Sequence, residues 1–151
     1  MSKPLYEQDF VRWTEQQSAA LRAAALARSN LPVDWGNVAE EIDSLGRSDR
    51  RELASRIATI IEHLLKLQAS PADAPRRDWE TTVRAQRREI GLLLDDSPSL
   101  RGEAAAMIQI VRAPLRDEVR QELARWGEQP RADIDGLQYT EAEVLGDWWP
   151  R

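Results

Sequence analysis

The sequence predicts an all-α fold, an antiparallel bundle of four to five helices with a long, kinked fifth helix and a short C-terminal helix. Three observations predict it. Apolar residues recur at three- and four-residue steps through most of the chain, the spacing that gathers side chains on one helix face. Helix-start and helix-stop residues fall between most of these stretches. No strand-type alternation, internal repeat or low-complexity tract competes with this pattern. With 151 residues, 42% hydrophobic and 31% charged, the chain fits one domain, residues 1–151. A domain of that size buries roughly 70% of the surface its unfolded chain exposes.

The first helix is expected from about Asp9 to Ala27, with Phe10, Trp13, Gln17, Ala20, Leu21 and Ala24 on its apolar face. Its Ala-rich half, AALRAAALA, combines high helicity with little volume and suits close approach to a neighbour. Asn30, Leu31 and Pro32 end it. Asp34 is a suitable N-cap for a second, short helix that turns Trp35, Val38, Ala39, Ile42 and Leu45 inward. Gly46 is expected in the left-handed position that stops it, and Ser48 to cap a third helix, about Asp49 to Ala69. Leu53, Ile57, Ile60, Ile61, Leu64 and Leu67 or Gln68 trace one stripe along the third helix and make it the core helix.

Pro71 and Pro75 stop that helix. Asp78 is expected to cap a fourth, ending near Asp95, with Trp79, Val83, Gln86, Ile90, Leu93 and Leu94 on one face. Ser97 followed by Pro98 signals the fifth start, because proline lacks an amide proton that the first helical turn leaves unpaired anyway. The fifth helix runs toward Gly127 through Leu100, Ala104, Met107, Ile108, Val111, Leu115, Val119, Leu123 and Trp126. Pro114 interrupts it; an interior proline costs roughly 3 kcal/mol and deprives the Ile110 carbonyl of its donor. The stripe keeps its phase on both sides, so a kink is expected rather than a break. EQPRADIDGLQ is expected to be irregular, and Thr140 with Glu143 forms a capping-box signature for a short helix to Leu145.

DWGNVAEEIDSLGRSDRRELASR, the EHLLKLQ that follows, RDWETTVRAQRREIGLLLDDSPSL and the closing YTEAEVLGDWWP together resemble the bacterial "domain of unknown function 29" family, block by block. The resemblance covers essentially the whole chain and is most specific in the two central blocks. RADIDGLQYT departs from it, standing where the family tends to have a proline-containing approach to the Tyr-Thr. The resemblance implies an all-helical fold and a prokaryotic origin, and it brings no activity.

Composition narrows the chemistry. Without Cys there are no disulfides, thiolate nucleophiles or Cys-based metal sites, and a single His disfavours zinc hydrolase sites, which draw several His ligands. No cofactor is called for and no catalytic residue is assigned. No apolar run approaches the roughly 20 residues that cross a bilayer, and the N-terminus lacks a signal-peptide core, so a cytoplasmic protein with no membrane partner is expected. A net charge of −5 disfavours nucleic acid, whose backbone is bound through excess Lys and Arg. The charge is uneven: Arg47 to Glu89 holds ten basic and seven acidic residues. Arg47, Arg50, Arg51, Arg84, Arg87 and Arg88 could line up as a phosphate-binding ridge, but interleaved carboxylates can pair with them.

Polar residues in apolar positions mark the candidate sites. Gln86 sits at the centre of the fourth helix's stripe, where an unpaired amide costs on the order of 1–3 kcal/mol, so it needs partners. Glu41, Arg50, Arg56, His63 and Arg87 are the residues placed to satisfy it, either as a dry network that fixes helix register or as a polar cleft for a ligand. Glu40, Glu41 and Asp43 cannot aim at one ion from a single helix, since successive residues are 100° apart. Trp148 and Trp149 either fold back on the bundle or form a docking surface. The expected function is a non-enzymatic helical module that binds a protein partner or a second copy of itself. An enzyme or small-ligand binder using the polar cleft is the alternative, and phosphate or nucleic-acid binding by the Arg ridge comes third.

Overall fold

The computed structural model describes residues 2–27 and 30–151, and every regular element among them is helical. In order these are α1 (Leu5–Gln8), α2 (Phe10–Leu26), α3 (Trp35–Ala69), α4 (Arg76–Asp96), α5 (Ala104–Arg125) and α6 (Glu141–Leu145), with 3-10 turns at Pro98–Glu103 and Ile134–Gly136. The chain is all-α, with α5 kinked at its interior Pro114. Ile110, whose carbonyl loses its donor to that proline, is exposed, so water can supply the missing hydrogen bond. Two compact units divide the residues: Met1–Glu52 with Leu92–Arg101, and Leu53–Gly91 with Gly102–Arg151.

In the first unit the expected turn at Gly46 is absent. Residues 35–69 form one continuous helix, and Gly46 is a buried helical residue within it. Its lack of a side chain serves close approach instead: a Cβ there would stand 2.6 Å from Thr14 Oγ1 on α2. Asp34 does cap the helix, accepting from the Asn37 amide at 3.3 Å. Ser48 lies inside α3 and starts nothing. Of the apolar face expected before Gly46, Ala39 is buried, whereas Val38 and Leu45 are exposed.

α2 is rotated from the expected stripe, and its buried residues are Val11, Thr14 and Ser18. Two of these are polar and satisfy themselves locally, Thr14 Oγ1 donating to the Val11 carbonyl at 2.6 Å and Ser18 Oγ to that of Glu15 at 3.1 Å. Small hydroxyl residues opposite a glycine let two backbones approach where bulky apolar residues would hold them apart. The displaced aromatics pack on one another, Tyr6 edge-on to Phe10 and to Trp13 with centroids 5.8 and 4.8 Å away. Asp9 caps α2 through the Arg12 amide and accepts from the Ser99 amide and hydroxyl at 2.8 and 2.9 Å. Ser97 does precede a helical start at Pro98, but that start is a 3-10 turn ahead of α5, and the Ser97 hydroxyl accepts from the Val11 amide at 3.1 Å.

The second unit holds the aliphatic core. Leu53, Ile57, Ile60, Ile61, Leu64 and Leu67 of α3 are buried, as are Val83 and Ile90 of α4 and Ile108, Leu115, Val119 and Leu123 of α5. At about 25 cal/mol per Å² of apolar area, each such side chain contributes about 1.5–3 kcal/mol, and these stripes hold the helices together. α4 begins at Arg76, placing Asp78 within its first turn rather than at the cap. α5 ends in a Schellman motif: Gly127 has φ of +67°, its amide donates to the Ala124 carbonyl, and that of Glu128 to Leu123. The chain then returns to the end of α3, where the Arg131 amide donates to the Ala69 carbonyl at 2.7 Å. The Thr140–Glu143 capping box starts α6 as expected.

Candidate functional site

The six polar candidates separate by unit. Glu41 and Arg50 lie in the first, where Glu41 is exposed and Arg50 pairs with Glu15. The other four lie in the second. There Arg56 Nη1 donates to Gln86 Oε1 at 3.0 Å, with Glu89 a further 4.0 Å partner for the same guanidinium. Gln86 is half-buried and its carbonyl is satisfied. His63 Nδ1 lies 2.7 Å from the Thr59 carbonyl on its own helix, a geometry that requires the proton on Nδ1.

Arg87 reaches the C-terminal segment. Its Nε donates to the Val144 carbonyl at 3.0 Å and its Nη2 to those of Glu143 and Trp148 at 2.8 and 2.7 Å. Burial lowers its pKa from the ordinary value while the Asp147 carboxylate raises it, and a guanidinium stays charged throughout. Trp149 receives both Arg87 and Arg84, with guanidinium carbons 4.9 and 5.0 Å from the ring centroid. Trp148 packs against Tyr139 with centroids 6.0 Å apart, and the Tyr139 hydroxyl donates to Gln68 Oε1. The tryptophan pair is half-buried against its own unit. Four arginines of the expected ridge are likewise engaged, Arg47 with Glu40, Arg50 with Glu15, Arg84 with Glu80 and Trp149, and Arg87 with the C-terminal carbonyls.

A different feature stands open on the second unit. A cavity of about 460 Å³ lies where α3 ends, α4 begins and α5 ends, walled by Trp79, Trp126, Val119 and Leu123. Trp126 is 74% exposed although it continues the α5 stripe, because the stripe runs past the end of the packed core. Lys66 forms part of the lining, with Nζ 2.8 Å from Glu122 and 3.1 Å from Glu62. Burial opposes its charge, but the hydrogen bonds to Glu122 and Glu62 outweigh that and hold the ammonium above its ordinary pKa. Glu128 lines the cavity too, accepting from the buried Ser70 hydroxyl at 2.8 Å. Among the described residues no cation pairs with Glu128, so the lining carries more carboxylate than Lys66 neutralises.

The sequence held one signal for this place. Lys66 is one of only two lysines in an arginine-rich chain and sits between Leu65 and Leu67 in the most apolar stretch of α3. A buried compact ammonium needs carboxylates within reach, and one of the two it finds, Glu122, lines the cavity.

Fold and cavity define an all-helical protein with an aromatic-walled cavity large enough for a side chain or small molecule. The chain belongs to the family described as domain of unknown function DUF29, whose model matches residues 5–132. The match leaves out the closing Tyr-Thr and Trp-Trp segment. The chain is also similar to a crystallised alpha-helical protein of unknown function from Rhodospirillum rubrum. They are 28% identical, with a TM-score of 0.76 over 95% of this chain and 90% of that one. A search of curated proteins finds no match. Among the described residues no helix is long and apolar enough to cross a membrane.

Proposed function

We propose that this chain is a non-enzymatic helical interaction module that takes an apolar anchor of a protein partner between Trp79 and Trp126. The observation that supports it is Trp126, a large apolar side chain 74% exposed at the mouth of a cavity of about 460 Å³. Indole rings are enriched at interface hot spots, and a cavity of this size accommodates one or two side chains. Glu122 and Glu128 beside a single Lys66 favour a partner segment carrying Arg or Lys next to its apolar anchor. A second copy of a chain with net charge −5 is the weaker fit.

A photoreactive amino acid at the exposed Arg125 position, followed by mass spectrometry of covalent products in bacterial lysate, tests this reading. The expected result is one dominant partner, joined through a segment with a basic residue beside an apolar one and lost in Trp126→Ser. Products that are diffuse, or unchanged by Trp126→Ser, would refute it. A product consisting only of the chain joined to itself would overturn the partner proposed here and assign the face to a homodimer.

A further inference from the structure

A second hollow in the same unit carries the opposite charge. It measures about 500 Å³ and is lined by Leu67, Gln68, Arg76, Arg131, Ala132 and Arg151. Three of its lining residues are arginines and none carries a carboxylate side chain. Some arginines of this acidic chain pair with acids, Arg22 with Glu40 and Asp43, Arg47 with Glu40, and Arg120 with Asp117 and Asp135. Among the described residues, Arg76, Arg131 and Arg151 have no such ion pair.

Arg76 Nη1 is buried with no hydrogen-bond partner, so it meets an anion in the hollow only when the guanidinium turns outward. A buried charged donor left without an acceptor is among the costliest groups a fold retains, and such a group calls for an account. The Gln68 carbonyl oxygen accepts from the Tyr139 hydroxyl, which fixes the amide, and its two N–H donors have no protein acceptor among the described residues. The Arg131 backbone is anchored to the end of α3 through Ala69, so this arginine stands on a tied segment. The side chains therefore present donors and positive charge, on a scaffold fixed by α3 and α4.

From this we infer that the hollow binds a phosphomonoester through Arg76, Arg131 and Arg151. Three planar forks offer more donors than the two oxygens of a monocarboxylate accept, whereas the three terminal oxygens of a phosphate dianion match them. The volume suits a small organic phosphate or a lipid headgroup. A nucleic-acid strand fits poorly, since it needs a continuous basic track and this chain is acidic.

Isothermal titration of the full chain with inorganic phosphate and with glycerol 3-phosphate, acetate serving as the control anion, tests the inference. Co-sedimentation with phosphatidylcholine vesicles, with and without phosphatidic acid, provides the lipid arm. Saturable binding of phosphate or its monoester, weakened at least tenfold by Arg131→Gln and by Arg76→Gln and unchanged by Arg84→Gln, supports it. Binding seen only with phosphatidic acid, with the same arginine dependence, supports it and identifies a headgroup. Arg131→Gln removes an exposed side chain and keeps the fold, so a folding failure of Arg76→Gln leaves the test intact. No saturable binding in either arm, or binding indifferent to both substitutions, overturns it. Trp126→Ser is expected to bind phosphate normally, so this site stands or falls apart from the partner face.

Discussion

Replacing Gly46 with alanine tests why a glycine stands in the middle of a 35-residue helix. The added Cβ would meet Thr14 Oγ1 at 2.6 Å, roughly 0.8 Å inside an ordinary C···O contact of about 3.4 Å. Thr14 cannot swing away cheaply, because it is buried and its hydroxyl is bonded to the Val11 carbonyl at 2.6 Å. Overpacking of this kind costs about 1–3 kcal/mol, while alanine in a helix interior gains roughly 1 kcal/mol over glycine. Gly46→Ala is therefore expected to destabilise the protein by about 1 kcal/mol net. In a Thr14→Ala background the obstructing hydroxyl is gone, and the same substitution should stabilise by up to about 1 kcal/mol. Urea denaturation of the four proteins in this double-mutant cycle reads the difference as a midpoint shift of opposite sign in the two backgrounds. A left-handed glycine would make alanine unfavourable in both. Equal shifts with and without Thr14, or a Gly46→Ala protein more stable than the parent, would refute the close-approach account.

Arg87→Leu should cost roughly 3 kcal/mol, because three backbone carbonyls lose a charged donor and Trp149 loses one of its two cations. Hydrogen exchange should accelerate over residues 139–151 and stay slow in the α3 core. Asp49 provides a pH test: burial, with Glu52 and Asp96 nearby, raises its pKa above the ordinary carboxylate value. The folded state then holds that proton more tightly, so stability falls as pH rises through about 3.9 and onward to the raised folded value. Asp49→Asn should accordingly stabilise the protein at pH 7 and lose that advantage below about pH 3, as followed by thermal melts. Trp126→Ser, at an exposed position, should change stability by no more than about 0.5 kcal/mol while removing about 2 kcal/mol or more of partner affinity.

Much of the fold was legible because burial and periodicity coincide in the second unit. Leu53, Ile57, Ile60, Ile61 and Leu64 announce a core helix, and all are buried. The errors cluster in the first unit, where the rules that locate helices depend on bulky apolar stripes and on glycine as a terminator. α2 instead buries Thr14 and Ser18, whose hydroxyls bond to their own helix, and Gly46 admits a neighbouring helix. Neither choice has a signature in a one-dimensional pattern, since both depend on the residue across the contact. The Arg56–Gln86 pair was foreseeable from an amide in an apolar stripe. The aromatic cavity was not, because Trp126 continues a helical stripe and only the geometry of the helix end leaves it exposed. The arginine hollow joins Arg76, Arg131 and Arg151 from three distant stretches, which no local pattern connects.

The central claim is that a protein partner enters between Trp79 and Trp126. The most direct measurement is fluorine NMR of the protein labelled with 5-fluorotryptophan, its six resonances assigned by single Trp→Phe substitutions. It is titrated with a synthetic peptide of the segment found joined at Arg125. The account predicts that Trp79 and Trp126 shift together on binding while Trp13, Trp35, Trp148 and Trp149 stay in place. A peptide that binds and leaves Trp79 and Trp126 unmoved would contradict it.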